Sequence, residues 1–220
     1  MAAEARCLPR PGAGGAPEVV CSGGNSARAA AGATRLVAQG SRALLSFGLA
    51  GGLDPALRPG ALVVVETVIA PDGRCWEADR DWREALLAAL AAERPVAGAL
   101  AGSDRVLATV DEKLRLFEAT GACAVDMESH AVARVAADSG VPFAALRAVA
   151  DPAGRALPHA ALDALDADGR WRARRVIVGL AKRPWETPGL IALALDARRA
   201  FAALRRGAAA APLFGCHALG

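Results

Sequence analysis

Aromatic residues are scarce in this chain of 220 residues, with four Trp, five Phe and no Tyr. A core short of them is built from small side chains in close contact, and Ala supplies much of the 54% hydrophobic content. Neither sign of charge is in large excess. Lys and Arg number 26 against 23 Asp and Glu, a net charge of +3, too little to argue for nucleic acid as a partner. Cys7, Cys21, Cys75, Cys123 and Cys216 lie far apart and form no C-x-x-C. That pattern suggests neither a zinc site nor a disulfide framework and fits reduced thiols in a cytoplasmic protein. No two of the histidines have metal spacing, so no metal is expected. The start has no basic stretch ahead of an apolar core, and no apolar run reaches about 18 residues, so neither a signal peptide nor a membrane span is expected. The dinucleotide-binding spacing G-x-G-x-x-G is missing as well, which disfavours a dinucleotide-dependent oxidoreductase.

The length suits one domain with a substantial core. Residues 1–206 read as that domain and 207–220 as a disordered tail. Basic residues gather late, at Arg170, Arg172, Arg174, Arg175, Lys182 and Arg183, followed by Arg198, Arg199, Arg205 and Arg206. They read as a solvated helix face, with peripheral contact to an anionic membrane as the alternative.

The most informative stretch is AVDMESHAVARVAADSGVPFAALRAVADPA, Ala124 to Ala153. Asp126 and Glu128 flank Met127, and Ala131, Val132, Val135 and Ala136 follow at helical spacing. Gly140 and Pro142 stop that helix. Phe143 to Ala150 is then short and apolar enough to be a strand buried on both faces, ending at Asp151-Pro152. In an open α/β sheet, ligands bind beyond the carboxyl ends of strands, and Pro152 holds Asp151 extended. Asp151 is therefore the first catalytic candidate.

Upstream, Glu18 to Cys21 reads as a short strand, with Ser22-Gly23-Gly24-Asn25-Ser26 turning into a helix from Ala27 to Gln39. Backbone N–H groups of such a turn can receive a phosphate, which makes Gly24, Asn25 and Arg28 candidates against a plain strand-to-helix turn. Further strands are expected over Arg42 to Gly48, Ala61 to Ile69 and Val96 to Ala101. Leu49 to Leu53 reads as a turn and Pro71 to Asp81 as a loop. Helices are expected over Arg83 to Glu93, over Thr109 to Gly121 with Thr109 or Asp111 as cap, and over Leu190 to Arg205.

VDMES, GVPF and the strand ending in Asp151 resemble the signature of the nucleoside phosphorylase and methylthioadenosine nucleosidase superfamily. SFGLAGGLDPALRPGALVVVE (Ser46 to Glu66) and AGSDRV (Ala101 to Val106) resemble its glycine and purine-contact segments, and the likeness covers Val19 to Pro158. GLAGGLDPALRPG, AVDMESHAVAR and KRPWETPGLIALALD are most similar to the hopanoid-associated phosphorylases within it. The resemblance implies an α/β fold, a three-layer arrangement with a central mixed β-sheet flanked by helices, and a homo-oligomer. Its first strand has no counterpart, so either the chain starts past it or the sheet lacks that edge.

The implied substrate is a purine nucleoside, adenosylhopane, a lipid nucleoside, with inorganic phosphate as co-substrate and no other cofactor. Hydrolysis of methylthioadenosine or adenosylhomocysteine, or purine binding without catalysis, are the alternatives. In this chemistry Asp151, with a pKa raised by apolar burial, protonates the departing base. Glu128 holds the ribose hydroxyls as positive charge develops on the sugar, and Met127 packs on the sugar. Asp126 and Glu128 could instead merely complement a helix dipole; Asp126 and Ser129 read as structural. Gly48, Leu49 and Ala50 would line the site, the glycines leaving room for the ribose. Val106 stands where many relatives carry an aromatic that stacks on the base, so Val106 and Leu107 are left to pack on the ring. Ala150 replaces a common Ser. Glu4 stands near an acid that assists an attacking water in relatives, or is a solvent-facing helix carboxylate. Phosphate could be held by Gly23 to Asn25, Arg28 or Arg147. His130 reads as a surface residue.

Overall fold

In a computed structural model, residues 2–8, 17–164 and 173–210 are described. The order of elements is α1 (Ala2–Ala5), α2 (Ser26–Ala38), β1 (Leu44–Gly52), β2 (Leu62–Ile69), β3 (Cys75–Glu77), α3 (Arg80–Ala89), β4 (Val96–Gly102), α4 (Val110–Thr120), β5 (Ala124–Asp126), α5 (Ser129–Ser139), β6 (Phe143–Asp151), α6 (His159–Leu162), α7 (Ala173–Lys182) and α8 (Thr187–Ala210). The six strands form one mixed sheet in the order β3-β2-β4-β5-β1-β6, and β6 also pairs with β2. Five of the strands thus close on themselves, with helices packed outside, the mixed α/β architecture expected.

β6 explains why its sequence is a continuous apolar run. Successive strand side chains point to opposite faces, and here both faces are covered. Phe143, Ala145 and Val149 pack with Ala33 of α2 and Val135 of α5. Ala144, Leu146 and Ala148 pack with Leu86 of α3 and Leu204 of α8. The one charged member, Arg147, is 1% exposed and requires partners inside the protein. Small residues let the layers approach closely. A Cβ on Gly32 of α2 would stand 2.5 Å from a methyl of Val20, and one on Gly98 of β4 would meet Cys123 Sγ at 3.0 Å. Burial pushes the Cys123 thiol up to about 11.

Local signals set the helix ends. Thr109 caps α4 in a reciprocal capping box with Glu112, and Gly140 ends α5 in the left-handed region at φ 65°. Asp126 accepts from the N–H groups of Glu128 (3.3 Å) and Ser129 (3.1 Å), satisfying donors that the first turn of α5 leaves open.

Several boundaries differ from the sequence expectation. Residues 18–21 form no strand, because the chain there packs Val20 on α2 instead of pairing with a neighbour. β1 continues from Leu49 through Gly52 where a turn was expected, held by parallel pairing to β6 with a register shift at Ala50/Gly51. The loop at 71–81 contains β3, which lies antiparallel on the end of β2. α8 starts at Thr187, with Pro188 in the first turn where its missing N–H costs little. It runs to Ala210 with Gly207 and Ala208 buried, so these residues belong to the core rather than to a tail. Residues 211–220, Arg170 and Arg172 lie outside the described residues.

Leu146, fully buried between β1, β2 and α8, tests this arrangement. Leu146→Ala is expected to cost about 2–5 kcal/mol, read as a lowered urea midpoint with an unchanged slope.

Candidate active site

Strand register brings distant segments into one row. Asp151, which closes β6, lies opposite Gly51 of β1; Gly51 lies opposite Val125 of β5, and Val125 opposite Ala101 of β4. Above this row is a cavity of about 470 Å³. Asp151, Glu128, Glu4, Met127, Leu49, Ala50, Val106, Leu107, Gly24 and Asn25 all line it. Gly48 and Arg28 do not.

Glu128 is held from the Ser22-Gly24 turn, whose Gly23 and Gly24 have φ of 71° and 77°, a region open to Gly at little cost. Ser22 Oγ and Gly24 N both donate to Glu128 Oε1 at 2.6 Å. Burial, the largest influence, works against ionisation of Glu128. The charge of Arg147 and the two hydrogen bonds outweigh it, and the pKa is lowered. The Gly24 N–H expected to meet a phosphate is thus engaged by a carboxylate. Asn25 caps α2 by accepting from Arg28 N at 2.9 Å, and the Arg28 side chain is exposed.

Beneath Glu128 is a buried polar knot. Arg147 Nη2 is 2.5 Å from Asp126 Oδ2 and donates to Ser46 Oγ (2.6 Å) and Ser129 Oγ (2.8 Å). Ser129 also donates to Asp126 at 2.6 Å. The structural role expected of Asp126 and Ser129 is the one they occupy, and Arg147 is paired rather than waiting for phosphate. A Cβ at Gly48 would lie 2.6 Å from both Arg147 Nη1 and Glu4 Oε1. Gly48 therefore makes room for these two side chains rather than for a ribose. Glu4 is 7% exposed, not solvent-facing, and accepts from Leu49 N at 2.9 Å. A second cavity of about 520 Å³, walled largely by apolar residues such as Val20, Leu36, Leu45, Phe47 and Val132, shares Glu4 and Glu128 with the first.

Asp151 has a partner that sequence reasoning missed. Lys113 of α4, 1% exposed, forms a close ion pair with Asp151 Oδ2 and donates to the carbonyls of Pro152 and Arg155, each at 3.0 Å. Burial is the largest influence on Asp151 and raises its pKa; Lys113 opposes it without cancelling it. The only sequence signal for Lys113 is its place beside Leu116 and Phe117 on the inward face of α4. His130 is not a surface residue either. Its side chain is 12% exposed, with Nε2 3.7 Å from Asp104 and the ring against Gly102. Among the described residues no group of three or more His, Cys, Asp or Glu could hold a metal ion, and no helix is long and apolar enough to cross a membrane.

Residues 12–182 match the phosphorylase superfamily. The chain belongs to that superfamily. No curated protein matches the chain. Among solved structures, a putative methylthioadenosine nucleosidase from Weissella paramesenteroides is 21% identical, with 86% of this chain and 78% of that one covered and a TM-score of 0.57. A futalosine hydrolase mutant from Helicobacter pylori is 23% identical at TM-score 0.53, covering 57% of this chain. A methylthioadenosine/adenosylhomocysteine nucleosidase from Colwellia psychrerythraea, in complex with adenine, is 22% identical at TM-score 0.57, covering 63%. The chain spans 66% of the length of each of the last two. At these identities the likeness is one of fold, shared by members of the phosphorylase superfamily.

Arg147→Met leaves Asp126 as an uncompensated buried charge, and such a loss costs about 3–5 kcal/mol. Urea unfolding of the variant is expected to show it, while Arg28→Met stays within about 0.5 kcal/mol of the parent.

Proposed function

We propose that the protein cleaves the N-glycosidic bond of a purine nucleoside and releases adenine. The observation that carries this reading is that Asp151, at the end of β6, and Glu128, before α5, line one cavity with pKa values pushed in opposite directions. Such divergence gives two carboxyl groups separate roles, one as a neutral proton donor and one as an anion. Asp151, protonated, gives its proton to the purine as the electron pair of the C1′–N bond moves to the base. Glu128, ionised, accepts hydrogen bonds from the ribose hydroxyls and stabilises the positive sugar; the interaction strengthens as the bond breaks. Val106, Leu107 and Met127 supply apolar surface for ring and sugar.

The resemblance further suggests phosphorolysis of adenosylhopane in hopanoid biosynthesis, and the apolar second cavity beside Glu4 and Glu128 supports a substrate with a greasy substituent. A specific observation favours the hydrolytic alternative: Glu4 is oriented by Leu49 N at the cavity wall, as a carboxylate that receives a proton from water would be. Adenine release from adenosylhopane and from methylthioadenosine, with and without phosphate, separates the readings. Phosphate dependence and preference for adenosylhopane are expected; equal rates without phosphate, lost in Glu4→Gln, would favour water.

Two variants test the assignment of roles. Asp151→Asn is expected to reduce adenine release by about 10²–10⁴-fold, the scale of general-acid catalysis, with the fold intact by circular dichroism. In the parent, kcat/KM should follow a bell against pH. Activity falls as rising pH deprotonates Asp151, above the ordinary aspartate range, and as falling pH protonates Glu128, below the ordinary glutamate range. Glu128→Gln should lack the acid limb.

A further inference from the structure

We propose that Lys113 is a positioning residue for the glycosidic cleavage, a fixed cation that makes the Asp151 carboxyl acidic enough to release its proton and then neutralises the carboxylate left behind. The inference rests on the reading of Asp151 as the acid. It starts from a cost that the fold alone does not explain. An ammonium with 1% exposure has lost nearly all its water, and burying such a charge is strongly unfavourable unless it is fully paired. A Leu or Met would fill the same place in α4 without that penalty. Lys113 instead has all three of its N–H donors met, by Asp151 Oδ2, Pro152 O and Arg155 O. Every acceptor belongs to the catalytic strand tip or to the loop directly after it.

The asymmetry within Asp151 supports the role. Lys113 engages Oδ2, whereas Oδ1 has no hydrogen bond among the described residues and the side chain keeps 15% of its surface open, at the cavity. One oxygen is anchored and the other faces the place of the departing base. Burial favours the neutral acid, which can donate but, in isolation, holds its proton too tightly. A cation in contact lowers the cost of the anion that proton transfer creates. In the step itself the Oδ1–H bond breaks and a purine N–H bond forms, while the C1′–N pair goes to the base. Lys113 stays an ammonium throughout, and Asp151 recovers a proton from solvent after adenine leaves.

The other charges facing Asp151 are already committed. Arg155, in the following loop, pairs with Asp196 of α8, and Asp196 is also bound by Arg199 at 2.8 Å. Their opposite effects on Asp151 are smaller than that of Lys113, which leaves Lys113 as the cation with control over the carboxyl.

The test uses Lys113→Met and Lys113→Gln in the full chain, with Lys113→Arg as the charge-conserving control. Gln can still donate to the loop carbonyls, so it separates the charge from the clamp on the loop. For Met and Gln we expect kcat to fall roughly 10²-fold with KM little changed, and the alkaline limb of the pH profile to rise by about one to three units. Arg should keep the limb near the parent position. Independently of turnover, the carboxyl resonance of Asp151 in ¹³C-aspartate-labelled protein, identified by its loss in Asp151→Asn, should titrate at higher pH in the Met and Gln variants. An unmoved titration and alkaline limb, whatever the effect on rate, would overturn the proposal. Should the parent release no adenine from any purine nucleoside, the cleavage reading fails, and the carboxyl titration still decides whether Lys113 controls Asp151.

Discussion

A guanidinium with no water around it must be neutralised where it sits, and in this protein that requirement organises the functional end of the sheet. Arg147 comes from β6, Asp126 from β5, Ser46 from β1 and Ser129 from the first turn of α5. Four elements are therefore joined by one buried polar knot. A half-satisfied knot of this kind would be worse than an apolar core, so β1, β5, β6 and α5 are constrained to one relative position. Glu128 and Met127 lie between two members of the knot and are carried to the cavity with it. Its positive charge then reaches Glu128 and, together with the Ser22 and Gly24 donors, lowers the pKa of that carboxyl against its own burial.

Asp151 lives under the opposite balance. It is buried, and its cationic neighbour lessens the rise in its pKa without reversing it. The cavity is lined by Asp151, Glu128, Glu4, Asp126, Asp104, Lys113 and Arg105, with Arg147 paired beneath it, and elsewhere mostly by small and apolar groups. Low polarity around them makes each charge effective at short range. The difference between the two acids comes from which cation lies near and how much water is left, rather than from residue type.

Much of this was legible in the sequence where local pattern and global position agree. The β6 run, its stop at Asp151, the Gly140 end of α5 and the Thr109 cap all followed from periodicity, burial and capping chemistry. In the Asp126-Met127-Glu128 triplet, the pattern separated Asp126, which pairs with Arg147, from Glu128, which the Ser22-Gly24 turn holds at the cavity. What the sequence could not supply were facts of tertiary pairing. Val19 and Val20 have strand-forming side chains but no neighbouring strand among the described residues to pair with, so β propensity had nothing to act on. Gly48 read as room for ligand, whereas two side chains distant in sequence, Glu4 and Arg147, occupy that space. Lys113 lay hidden in an ordinary charged helix, because a lysine reads as solvated until the packing shows its ammonium inside.

The Ser22-Gly24 turn and the Glu128 carboxylate form a single thermodynamic unit. Donors that bind the ionised form more strongly make Glu128 more acidic, and by linkage its ionisation must in return tighten the turn. Acidification that protonates Glu128 therefore also loosens that wall of the cavity, so shape and charge at this site are lost together.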